Sequence, residues 1–199
     1  MENLSASGLI QSLVKNQLLS SVVKIRKIHP NDFDAVSTLL LQGVSLHGGS
    51  FWSGAETRSE WLARIYGKVP NGFCEEIRVA TVNGKIIGAC ALVGVVSSSN
   101  DTWHDVPAAL RFFTIDLNSY SENLVFLLLD EATRICQQWG QARLSAELFS
   151  EAHPLNSVLE EFGFHRVFGE KAEDVLLFIG ARTYELTIPS PSQKLSLAQ

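Results

Sequence analysis

A basic excess, paired cysteines and a long unbroken apolar run are all missing from this 199-residue chain. Sixteen Lys and Arg stand against 21 Asp and Glu, a formal net charge of −5. With no surplus of cations to neutralise phosphates, nucleic acid is not an expected partner. The three cysteines, Cys74, Cys90 and Cys136, show no C-x-x-C spacing, and Cys90 and Cys136 lie in apolar runs. They read as small core residues with reduced thiols. No apolar run approaches the roughly 20 residues that span a bilayer, and the N-terminus lacks the basic start and unbroken apolar segment of a secretory signal. No membrane partner is expected, and the cytoplasm is the expected location. The five histidines (His29, His47, His104, His153 and His165) have no metal-ligand spacing, so no metal site is expected. G-x-S-x-G and G-x-x-x-x-G-K are absent too, which argues against a nucleophile elbow and a nucleotide P-loop.

What is present suits one buried core: 46% hydrophobic and 19% charged residues. Residues 1–21 carry Leu9, Ile10, Leu13, Val14 and Leu18 at helical spacing. This amphipathic arm is expected to pack on its own domain or on a homodimer mate or other protein partner; too few cations flank it for a membrane-surface helix. The main domain is expected over 22–181, and 182–199 as a C-terminal extension with a mobile tail.

Within the domain, alternation predicts a strand over 22–28, and Pro30 opens a helix that ends at Gly43. Thr57-Arg58-Ser59-Glu60 is a capping box for a further helix. Asn83-Gly84 joins the strands 77–82 and 85–96 by a type I′ turn. A strand then runs into the turn NSYSEN and a long helix ending at Gly140, where Leu124, Val125, Leu128, Ala132, Ile135, Cys136 and Trp139 form one apolar face. A strand over 142–148, a short helix from Pro154 to Gly163, and a closing strand pair over 165–171 and 175–179 complete the order β, α, α, β, β, β, α, β, α, β, β. A strand entering a helix N-terminus leaves backbone N–H groups at the turn, a place where an anion can sit.

Taken in this order, KIRKIHPNDFDAV, the hairpin RVATVNGKIIGACALV, Phe113-Thr114-Ile115-Asp116, LLLDEATRICQQWG and Leu159-Glu160-Glu161-Phe162-Gly163-Phe164 resemble the GNAT superfamily of acyl-CoA-dependent N-acyltransferases, over residues 22–180. The resemblance implies an α+β fold whose mostly antiparallel, splayed sheet of about seven strands carries helices on both faces. It implies acetyl-CoA or another acyl-CoA as co-substrate and an amino group of a small molecule or peptide as acceptor. In that family the fourth and fifth strands part, pantetheine lies in the gap bonded to the fourth strand, and the pyrophosphate takes the amides of the following turn. Phe113, Ile115 and Leu117 would then border the acyl and pantetheine arm. The amides of Ser119, Tyr120, Ser121, Glu122 and Asn123 would meet the pyrophosphate.

The family pattern is not kept throughout. Tyr120 stands where an Arg or Gln is usual, and Asn123 and Val125 hold the two glycine positions, adding side chains where the backbone must approach phosphate closely. Ser119 and Glu122 form a capping box that can satisfy the same amides, and Glu122 places negative charge at the helix's positive end. Leu159 replaces the late-helix tyrosine that protonates the leaving thiolate, and Arg111 replaces the fourth-strand glutamate base. Asp116 and His153 are the candidate replacements: Asp116 as a base or a turn-former, His153 as an acid/base or a helix cap. His47, Trp52, Trp103 and His104 lie on loops expected to wall the acceptor side. Two functions follow: a divergent N-acyltransferase, or a GNAT-fold binding module without CoA.

Overall fold

Asn83 at φ 51 and Gly84 at φ 81 supply the two positive-φ positions of a type I′ turn. They join β3 (Phe73–Val82) to β4 (Lys85–Val95) in one antiparallel ladder. In the computed structural model, which describes residues 22–45, 73–95, 106–148, 154–167 and 182–189, this hairpin supplies the second and third strands of the sheet. Its first strand begins four residues before the expected Ile77. The paired Glu75 and Glu76 interrupt the apolar alternation there, yet Phe73 still pairs with Val95.

The other elements are β1 (Lys24–Lys27), α1 (Phe33–Gln42), β2 (Val44–Ser45), β5 (Ala108–Ile115), α2 (Glu122–Gln138), β6 (Arg143–Leu148), α3 (Leu155–Phe162), β7 (His165–Val167) and β8 (Arg182–Thr187). Seven strands follow the order β1-β3-β4-β5-β6-β8-β7, and β2 pairs with β5 to make an eighth. All pairings are antiparallel except β5 with β6. The expected α+β, splayed architecture is what the chain adopts.

Each face of the sheet has its own core. On one, Phe33, Val36, Leu39 and Leu40 of α1 pack on Ile77, Val79, Ala89, Ala91 and Phe112. On the other, Leu124, Val125, Leu128, Ala132, Ile135 and Cys136 of α2 and Leu155, Val158 and Leu159 of α3 cover Cys90, Leu92, Phe113, Ile115, Leu144 and Ala146. The 3.6-residue period of these helices buries one stripe each. Burial pushes the Cys90 and Cys136 thiols up to about 12 and raises Cys74 as well, so none is poised as a thiolate. Arg78 of β3 bridges Glu131 of α2 (3.2 Å) and Glu76 (3.1 Å), tying the long helix to the hairpin. No helix among the described residues is long and apolar enough to cross a membrane.

Two expectations change. The first strand is Lys24–Lys27 rather than 22–28. The segment 182–187, assigned to a C-terminal extension, is instead β8, inserted between β6 and β7. It lacks a long apolar run because its side chains alternate: Tyr184 is buried while Thr187 is exposed. β7 pairs with 183–185 of β8, while the segment 175–179, its expected partner, lies outside the described residues. The N-terminal arm, the helix expected after Thr57, and the tail beyond Pro189 also lie outside them.

The entry to α1 is fixed by charge. Asp32 accepts two bonds from the Arg26 guanidinium (2.6 and 2.9 Å) and one from the His29 amide (2.7 Å). The Arg26 bonds hold its carboxyl below the usual carboxylate range, against an opposing desolvation. A lowered folded-state pKa contributes stability that is fully present above the unfolded value near 4 and is lost as pH falls through the lower, folded-state value. Asp32→Asn is therefore expected to cost about 1 kcal/mol at pH 7 and less as the pH is lowered below 4, read by urea unfolding across that range.

Candidate functional site

The site grows from where β5 and β6 part. They pair in parallel at Ala108↔Leu144, Ala109↔Ser145 and Leu110↔Ala146, and no further. From there β6 stays with β8, while β5 stays with β4 as far as Gly88↔Ile115. A β-bulge between Ala91 and Leu92 shifts the register opposite Arg111, just where β5 and β6 separate. The C-terminal half of β5 thus has one edge on β4 and the other facing the gap.

That second edge is not open. Val44 pairs with Ile115 and Ser45 with Thr114, so β2 lies on β5 inside the gap. Gly43, which ends α1, allows this approach. A Cβ there would stand 2.5 Å from the Ile115 carbonyl oxygen and 2.7 Å from that of Leu39. Thr114 Oγ1 donates to the Leu39 carbonyl at 2.9 Å, and the Gly43 amide donates to the same oxygen at 2.7 Å. Helix end, glycine and strand form one joint.

Beyond β5 the chain makes a short 3₁₀ turn, Leu117–Ser119, before α2. Its conformation revises the expected capping. Ser121, not Ser119, caps the helix, its Oγ accepting from the Leu124 amide at 3.2 Å. The Ser119 hydroxyl instead donates to Asp116 Oδ2 at 2.8 Å, and the Ser119 amide is used by the Asp116 carbonyl at 2.9 Å. Two serines two residues apart offer equivalent caps to a sequence reader; the 3₁₀ turn decides between them. The amides of Ser121, Glu122 and Asn123 find no acceptor among the described residues. Lys85 Nζ, from the tip of the hairpin, stands 3.6 Å from Asp116 Oδ2. A notch of about 470 Å³ lies here, lined by Val82, Asn83, Lys85, Ile87, Ser119 and Leu124. A second, about 260 Å³, lies between α2 and α3, lined by Asn123, Phe126, Leu127, Asp130 and Phe162.

The expected site residues separate into distinct groups. Phe113 and Ile115 are almost wholly buried beneath α2, so their side chains build the core and only their backbone reaches the gap. Leu117 is 61% exposed on the turn. Tyr120 is partly buried against the core, and desolvation, reinforced by Glu122, raises its phenol above the ordinary value. Asp116 is engaged by Ser119 and Lys85. His153, His47, Trp52, Trp103 and His104 lie outside the described residues. Leu159 is a core residue of α3 and Arg111 an exposed one at the bulge, so the positions of the family's acid and base carry no proton-transfer group.

One residue was missed. Glu75, half-buried on β3, has its carboxyl raised by burial, partly offset by Arg111. Its place in an acidic pair at the start of a strand hid it. Among the described residues no cluster of His, Cys, Asp and Glu could hold a metal.

Acyl-CoA meets these residues unequally. The turn offers three amides and a lysine, but also Glu122 in the first helical turn. The strand edge on which pantetheine would lie is taken by Val44 and Ser45. In this arrangement the cofactor does not fit.

No family model matches the chain, and no curated protein matches it. Solved structures do. A putative acetyltransferase of the GNAT family from Desulfovibrio desulfuricans superposes with a TM-score of 0.62 at 17% identity, over 84% of this chain and 99% of its own. A putative acetyltransferase from Salmonella typhimurium, with its cofactor acetyl-CoA, gives 0.57 at 17% over 84% and 95%. The ribosomal-protein-S18-alanine N-acetyltransferase from Escherichia coli gives 0.56 at 14% over 83% and 94%. At such identities the likeness shows the fold, and the chain has the GNAT fold in divergent form.

Proposed function

We propose that this GNAT fold serves an N-acyltransferase-type reaction, with acetyl-CoA or another acyl-CoA thioester as donor and an amino group of a small molecule or peptide as acceptor. The observation that carries the reading is the parting of β5 and β6 after Leu110 and Ala146, which opens a gap, entered by β2, beside a helix N-terminus whose first amides have no acceptor among the described residues. Leu159 and Arg111 offer no acid or base, so catalysis would rest on holding amine and thioester together and on polarisation by backbone N–H groups. Loss of general acid–base help lowers a rate by about 10²–10⁴-fold. A slow enzyme is the expected result.

A second reading, a binding module without catalysis, is favoured by the occupied edge of β5 and by Glu122. Thermal unfolding with acetyl-CoA and longer acyl-CoAs separates the two. A donor at 100 times its Kd should add about 2.7 kcal/mol, and acyl transfer to an amine panel should then be measurable. Absence of any shift with every ester at millimolar concentration would leave only the binding module.

A further inference from the structure

We infer that Val44–Ser45 is a built-in occupant of the gap, a strand that must leave β5 before an extended amide-bearing chain can pair there. The inference rests on reading the gap as the donor channel and adds the device that controls access to it. A strand edge is specific for one kind of ligand: a chain that offers N–H and C=O groups at strand spacing. β2 shows that the edge at Thr114 and Ile115 accepts such a chain, since it accepts this protein's own backbone. The same two residues cannot pair with β2 and with a ligand at once. Occupation is therefore exclusive.

The attachment is built to release. β2 makes two pairs, whereas β3 and β4 make ten between Val82↔Lys85 and Phe73↔Val95, interrupted by one bulge. Val44 is only partly buried, at the margin of the core beneath α2. The hinge is held from the other side: Gly43 and Thr114 both bond to the Leu39 carbonyl at the end of α1, a helix whose own core does not depend on β2. β2 can swing away while α1 stays seated on Ile77, Val79 and Phe112. A ligand that binds only the open form has its apparent affinity reduced by the open fraction, so weakening β2 tightens binding without any new contact.

The test uses the full chain with two probes, acetyl-CoA and pantetheine. Pantetheine lacks the pyrophosphate and reads the strand edge apart from the turn. Val44→Pro removes the amide that a strand at this place would offer, and Val44→Asp places a charge at the core margin as an independent way of lifting β2. Both variants are expected to bind each probe at least tenfold more tightly than the wild type by calorimetry. In the wild type, saturating probe should increase hydrogen exchange in the peptide covering residues 39–45. Wild type and both variants binding equally well, with no change in exchange, would overturn the gating strand and leave the acyl-donor reading standing. No binding by any of the three would overturn both. An extended N-acetylated tetrapeptide, run in parallel, tells a peptide ligand from the pantetheine arm.

Discussion

Replacing Phe113 by alanine is expected to lower the unfolding free energy by about 3–5 kcal/mol, the range for removing a large buried aromatic ring. Phe113 is 1% exposed and packed in the core that joins α2 and α3 to the sheet. For a chain of this size the loss corresponds to a fall in Tm of about 6–20 °C. Leu117→Ala is the control. Its side chain is exposed on the 3₁₀ turn, and its removal should change stability by less than about 0.5 kcal/mol. The pair separates two roles that sequence likeness merges, since both residues fall on the segment a cofactor arm would follow. Urea unfolding of both variants is sufficient. A Phe113→Ala loss under 1 kcal/mol would mean that the ring does not lie in the core.

Gly43→Ala should cost about 1–3 kcal/mol, although the backbone there is ordinary. At φ −86 and ψ 171 any residue is comfortable, so the requirement for glycine is spatial. The added Cβ meets two backbone carbonyl oxygens, at 2.5 Å on Ile115 and 2.7 Å on Leu39, and Thr114 Oγ1 at 2.8 Å. Carbonyls in a strand and a helix end cannot turn aside as a flexible side chain can. The strain is relieved only by moving β2 or the end of α1, so increased exchange at 43–45 should accompany the destabilisation. Gly84→Ala provides the contrast. Nothing stands within 4 Å of its Cβ, but its φ of +81 is left-handed, so its cost of about 1 kcal/mol comes from backbone strain alone. Equal exchange at 43–45 in both variants would refute the spatial account.

Much of the fold was legible because it is written in local patterns. Asn83-Gly84 names its turn, the apolar stripe from Leu124 to Cys136 names a helix and its buried face, and Gly43 and Gly163 fall at helix ends as expected. The candidate site was less legible. Ser119 and Ser121 are interchangeable as caps until the 3₁₀ turn gives one to Asp116 and the other to Leu124. Phe113 and Ile115 fit a cofactor wall and a core equally well by side-chain type. Glu75 carried no pattern at all, because its raised carboxyl depends on burial within the sheet.

The strand–turn–helix from Ala108 to Gln138, the Asn83-Gly84 hairpin and the helices α1 and α3 are properties of the sequence alone, since periodicity, turn residues and caps act between near neighbours. What the gap beside β5 contains was decided only in three dimensions. β2 is two residues long, too short to show any period, and it is held by backbone pairing across about 70 residues of chain, where main-chain hydrogen bonds leave no signature in side-chain type. Whether β5 presents an open edge or a filled one is therefore a tertiary fact, set by how closely Gly43 lets the end of α1 approach Ile115.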